Sequence, residues 1–205
     1  MRDQVELERT QAAASSRSTE GRLGALREAL LANCPAQDRA EQMMLYGQFL
    51  GSWDGTVVVH DAESGRREST CEVHFGWALA GRAVQDVWIA PSRHARGAAE
   101  QDRMYGTTLR VYDPRADLWH ITWIDPVRQV FNRMTGRKIG DEIVQEYRNE
   151  QGTRCQWRFT EIRPDSFHWI SRDSTDEGAS WTVRVEFFLR RRTTDPSMTG
   201  TAAPS

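Results

Sequence analysis

Cysteine is almost missing: Cys34, Cys71 and Cys155 are the three thiols of a 205-residue chain. Thiols so few and so widely spaced supply neither a disulfide framework nor a paired C-x-x-C zinc signature, so no metal is expected. No apolar run approaches the length that crosses a bilayer as a helix. The opening "MRDQVELERTQAAASS" lacks the apolar stretch of a secretory signal. A cytoplasmic protein with no membrane partner is the expectation. An excess of one charge is lacking too, since 27 Lys and Arg stand against 29 Asp and Glu. The arginines are scattered, so no basic patch points to nucleic acid. Nor is there a nucleophile elbow, a phosphate-binding glycine loop or a dinucleotide fingerprint. "GRKIGDE" carries glycines but has neither the spacing nor a following helix. Hydrolase, kinase and dehydrogenase chemistry therefore has no support.

What is abundant is tryptophan, with eight copies. Its large apolar body and single N–H donor suit both cores and ligand pockets. The polar residues 1–20 predict a disordered or weakly helical start. Over 21–48 two helical patterns follow, Leu23, Leu26, Leu30 and Leu31 forming one stripe that Pro35 ends. Their apolar faces would close one end of the domain, pack outside it, or form a homodimer contact. From residue 49 to 192 the texture changes to ten runs of strand chemistry separated by turn residues. No long helical segment interrupts them, which excludes a parallel βαβ sheet. Short connections leave little room for the crossovers of a sandwich. About ten antiparallel strands instead predict an all-β up-and-down barrel, because closure removes the unpaired edges. One connection is long, Pro91 to Met104, as loops that contact ligands often are. Residues 193–205 predict a disordered tail.

The stretch "FLGSWDGTVVVHD" sets Gly51 and Trp53 at the mouth of the first strand, directly after a helical pattern. This resembles the G-x-W signature of the calycin barrels, which include lipocalins, fatty-acid-binding proteins and haem-binding nitrobindins. Farther on, Trp77, Leu79, Gly81 and Arg82 are followed by Tyr112, Asp113, Trp119 and Trp123 to Asp125. These match the W-x-L-x-G-R and YD-x-x-x-x-x-W-x-x-x-WID hairpins of a bacterial lipocalin-like family of uncharacterised function. The resemblance implies the barrel with some specificity and the function hardly at all. It also implies that Gly51 and Trp53 are structural, with an arginine of the last strand, Arg190 or its neighbour Arg191, stacked on Trp53.

In a barrel, alternate residues point inward. Taking the apolar parity of each strand as interior puts Phe75, Trp88, Trp123, Trp157 and Trp169 inside, with Tyr105, Thr107, Leu109 and Val111 on the fourth of the ten runs. Trp181 is assigned inside on the last. Such a lining suits a small apolar or aromatic molecule, and equally a filled core. Polar residues sharing the inward faces are Asp86, Arg133 and Gln145, beside Tyr147. Asp86 and Arg133 could form a structural pair. Alternatively Arg133 could receive a carboxylate, with Tyr105 or Tyr147 as second donor. His74, His120 and His168 take the outward parity. If one strand were inverted, His74 or His120 would enter the cavity as a general base, with Asp86 and Tyr147 as further acid–base groups.

The leading expectation is a lipocalin-like barrel with a ligand inside and no cofactor. The alternatives are a cofactor-free isomerase, cyclase, lyase or dehydratase, and a nitrobindin-like haem protein with His168 as the least poor ligand.

Overall fold

The computed structural model describes residues 24–95 and 103–193. The expected disordered start, residues 1–20, lies outside these residues, as do 96–102 of the long connection and nearly all of the expected tail. Helix α1 occupies residues 24–30. Among the described residues eleven strands are β1 (Leu31–Ala32), β2 (Gly51–Asp61), β3 (Gly65–Ala78), β4 (Ala83–Ala90), β5 (Met104–Asp113), β6 (Leu118–Asp125), β7 (Val130–Ile139), β8 (Glu142–Arg148), β9 (Arg154–Thr160), β10 (Ser166–Ser174) and β11 (Thr182–Arg191). Helix α2 (Ala40–Gly47) follows a single 3₁₀ turn at Gln37–Arg39.

Strands β2 to β11 form an antiparallel meander that closes where β11 pairs with β2. The result is a ten-stranded closed antiparallel barrel, with no open edge among these strands. The short β1 pairs with Trp77 and Ala78 of β3, beyond the point where β2 ends. Alternation dictates the layers. Phe75 pairs with Asp86, Asp86 with Thr108, Thr108 with Trp123 and Trp123 with Asn132, so these five side chains share the interior face. The next layer toward α2 runs Trp77, Val84, Arg110, Ile121 and Met134.

One end is plugged. Met43, Tyr46 and Phe49, at helical spacing along and just past α2, are buried inside the barrel end. Phe49 packs 4.8 Å from both Phe159 and Phe167, and Trp53 lies 4.7 Å from Phe167. The Trp53 indole N–H donates to the Phe49 carbonyl at 2.7 Å, tying the first strand to the plug. Gly51 has φ +105°, which a side chain would strain, and it turns the chain from α2 into β2. The α2 segment thus closes one end of the barrel.

The stacking arginine is Arg191, not Arg190. Arg191 stands opposite Trp53 in the β11–β2 ladder, with its guanidinium carbon 4.2 Å from the ring centroid. It also donates to the carbonyls of Gln48 at 2.9 Å, Pro164 at 2.8 Å and Leu50. Arg190 pairs with Asp54 in register and is exposed, because alternation gives adjacent residues opposite faces.

Two further orientations differ from the sequence expectation. Tyr105 is on the outer face and 44% exposed, as the inward residues of β5 are Gly106, Thr108 and Arg110. Arg133 is exposed on the outer face of β7, whose inward residues are Asn132, Met134 and Gly136. In both strands the apolar residues that set the expected parity lie outside, and Phe131 is 65% exposed. A shift of register between Ser171 and Arg172 also inverts the start of β11. Trp181 therefore lies outside, its ring 4.4 Å from the Arg172 guanidinium carbon and 5.6 Å from that of Arg154.

Candidate functional site

The end opposite α2 holds a cavity of about 920 Å³. Its walls are Trp88, Trp123, Trp157, Trp169 and Phe187, with Val57, Val59, Val185 and Met104 filling between them. Trp157 meets two of the other indoles edge to face. Trp157 lies 5.7 Å from Trp123 at 81° and 5.3 Å from Trp169 at 64°, while Trp88 lies 5.4 Å from Trp169. The local cause is strand alternation, which places one large ring per strand on the inner face. Gly106 makes room for one of them, since a Cβ there would sit 2.2 Å from the Trp123 ring. Tyr147 also lines the chamber, and the amide of Asn132 donates to its hydroxyl at 3.4 Å. Burial pushes the Tyr147 phenol well above its ordinary value, which keeps it a neutral donor.

Polar residues sit at the bottom and at the rim. Arg110 and Thr108 line the bottom of the cavity. Arg110 is 1% exposed and ion-paired through Nη1 to Asp86, itself 1% exposed. The Thr108 backbone N–H donates to the other Asp86 oxygen at 2.9 Å. Beneath the guanidinium lie the rings of Tyr46 at 4.8 Å, Phe159 at 5.7 Å and Phe75 at 5.8 Å. Nearby, both amide atoms of the fully buried Gln145 and the Tyr46 hydroxyl have no hydrogen-bond partner among the described residues. At the rim stand Arg67, Glu68, Asp125 and Arg128, with Asp125 accepting the backbone N–H groups of Val127 and Arg128 at 3.0 and 3.1 Å.

Of the residues singled out by sequence, Asp86, Tyr147, Trp88, Trp123, Trp157 and Trp169 are brought together inside. Phe75 belongs to the packed floor below them. Arg133, Tyr105, His74 and His120 are not in the chamber. Arg110, which takes the place expected for Arg133, was missed. Counting across the tight turns finds it: Asp113 pairs with Leu118 around four residues, so Tyr112 must share a face with Trp119, and Arg110 with Ile121. The same count from Trp123 across the Asp125–Val130 turn puts Asn132 inside and Arg133 outside.

The histidines occupy the outer wall. His74 accepts or donates at Nδ1 to Ser52 at 2.9 Å and meets Glu72 through Nε2 at 3.1 Å. Glu72 is fully buried beneath Arg93, which donates its backbone N–H and Nε at 2.8 Å and Nη2 at 3.1 Å. His120 is largely exposed beside Asp113, at 3.3 Å. His168 lies between Glu186, at 3.0 Å, and a stacked Phe188 ring at 4.3 Å. None of the five histidines lines the chamber, so the residues present do not fit a histidine-ligated haem. Among the described residues, no group of three His, Cys, Asp or Glu side chains is placed to hold a metal ion. No helix among them is long and apolar enough to cross a membrane.

The outer carboxylate has a pH consequence. The bond from Arg93, helped by its backbone N–H and by His74, holds Glu72 at about 2, against an ordinary 4.5. A carboxyl depressed in the folded state stabilises it above the unfolded value, and that contribution is lost as pH falls through the folded value. Wild type is therefore expected to lose stability between pH 4.5 and about 2 more steeply than Glu72→Gln. Acid unfolding followed by circular dichroism checks this, and superimposable curves would contradict it.

No family model matches the chain, and no curated protein matches it. Among solved structures, it is similar to an S-type phycobiliprotein lyase from Guillardia theta, with 13% identity over 74% of this chain and 93% of that one, at a TM-score of 0.49. It is also similar to EF1p2_mFAP2b bound to DFHBI, with 15% identity over 77% of this chain and 100% of that one, at a TM-score of 0.35.

Proposed function

We propose that the barrel binds one small, mostly apolar and aromatic molecule in the chamber opposite α2. The observation that carries this reading is the division of the interior. The α2 end is packed with Met43, Tyr46, Phe49, Trp53 and Phe167, whereas the other end keeps an aromatic-walled space of about 920 Å³. That volume suits a small ligand, and a few polar groups amid rings are what such pockets use to orient one. Edge-to-face indoles present flat, polarisable surfaces on several sides, which favours a planar guest.

The acid–base reading is less favoured. Its candidate groups divide between Asp86 and Tyr147 inside and His74, His120 and Arg133 outside, and a general base must reach the proton it removes. Asp86 is already held by Arg110 and the Thr108 N–H.

Native mass spectrometry tests the proposal. With N-phenylnaphthylamine, a neutral aromatic probe, one adduct per chain is expected, released on denaturation together with any molecule carried through purification. Absence of both a carried molecule and probe uptake by the folded protein would overturn it.

A further inference from the structure

We infer that the chamber selects aromatic ligands whose inward end is polar but uncharged, a carbonyl, hydroxyl or carboxamide, and discriminates against carboxylate and ammonium ends. This rests on the proposed ligand chamber. A lone buried arginine would invite an anion, because pairing would relieve the cost of an isolated charge. Arg110 is not alone. Its charge is cancelled by Asp86, and its face is covered by the rings of Tyr46, Phe75 and Phe159. A carboxylate arriving at this foot would place a second negative group beside Asp86 and leave one net charge in a site with little water. An ammonium would bring an uncompensated positive charge next to Arg110. Either outcome costs desolvation without an equal return.

The groups left with bonding capacity include uncharged ones. Arg110 Nε has no partner among the described residues, and the Gln145 amide has both its donor and its acceptor unmatched while fully buried. Gln145 and the Tyr46 hydroxyl are packed together against Gly136, where a Cβ would meet Gln145 Cγ at 3.3 Å and Tyr46 Oη at 2.7 Å, and neither is among the residues that line the chamber. Higher up, Asn132 and Tyr147 add an amide and a neutral phenol. The rim carries both signs, Arg67 and Arg128 together with Glu68 and Asp125. Charge neutrality from foot to rim is the recognition device.

Displacement of bound N-phenylnaphthylamine fluorescence by three isosteric competitors at neutral pH reads this directly. Naphthamide should displace the probe at a concentration at least about tenfold lower than naphthoate or naphthylmethylammonium. Asp86→Asn, which leaves Arg110 uncompensated, should narrow or reverse the amide-over-carboxylate preference. The wild-type comparison stands even where that variant does not fold. Naphthoate competing as well as naphthamide in wild type would overturn the inference while leaving the chamber intact. Failure of the probe and all three competitors to bind would instead overturn the chamber on which it rests.

Discussion

Asp86→Ala is expected to destabilise the barrel by about 3–5 kcal/mol, and Arg110→Met by a similar amount. Each removes one partner of an ion pair whose two side chains are at most 1% exposed. With Asp86 gone, the Arg110 cation stays buried among aromatic rings, and the Thr108 N–H loses its acceptor. The paired variant Asp86→Ala with Arg110→Met removes both charges together, so its cost should fall well below the sum of the single losses. Urea unfolding of the four proteins completes the cycle. Additive losses would mean that the two charges do not depend on each other, against the geometry.

Trp53→Ala should cost about 3–5 kcal/mol, as a fully buried large ring is removed from the floor. The same change breaks the bond to the Phe49 carbonyl that holds the plug, and it strips Arg191 of its stacking surface. Arg191→Ala should cost less than Trp53→Ala but clearly more than Arg190→Ala, because only Arg191 satisfies the carbonyls of Gln48, Leu50 and Pro164. Arg190→Ala should stay within about 0.5 kcal/mol of wild type, as exposed substitutions do. Thermal unfolding of the three variants measures this order. Equal losses from the two arginines would contradict the register of β11 on β2.

Ten strands, short antiparallel connections and the Gly51–Trp53 corner were legible because alternation and turn residues act locally. Orientation was harder, because a strand's apolar side is its inner side only when the interior is uniformly apolar. Here β5 carries Thr108 and Arg110 inside and Tyr105 outside, while β7 carries Asn132 inside and Phe131 outside. A buried ion pair therefore reversed the hydrophobic signal where the interior is most specific. Asp86 was readable because Val84 and Trp88 flank it at the same parity. Its partner was missed because the parity of β5 was taken from its apolar residues rather than counted across the Asp113–Leu118 turn. The placement of Trp181 depended on a bulge, which no periodicity announces. The resemblance to calycin barrels led to Trp53 and to two adjacent arginines, Arg190 and Arg191, between which only the ladder between β11 and β2 decides.

The most direct test of an open, ligand-accepting barrel is a fluorescence titration of N-phenylnaphthylamine against wild type, Val185→Trp and Arg133→Ala. Val185 lines the chamber, so an indole there fills space the ligand would use, whereas Arg133 lies on the outer wall. Saturable binding of one probe per chain is expected for wild type and Arg133→Ala, with loss of at least about tenfold in affinity for a folded Val185→Trp. Undiminished binding to folded Val185→Trp, or binding abolished by Arg133→Ala, would place the probe elsewhere and contradict the account.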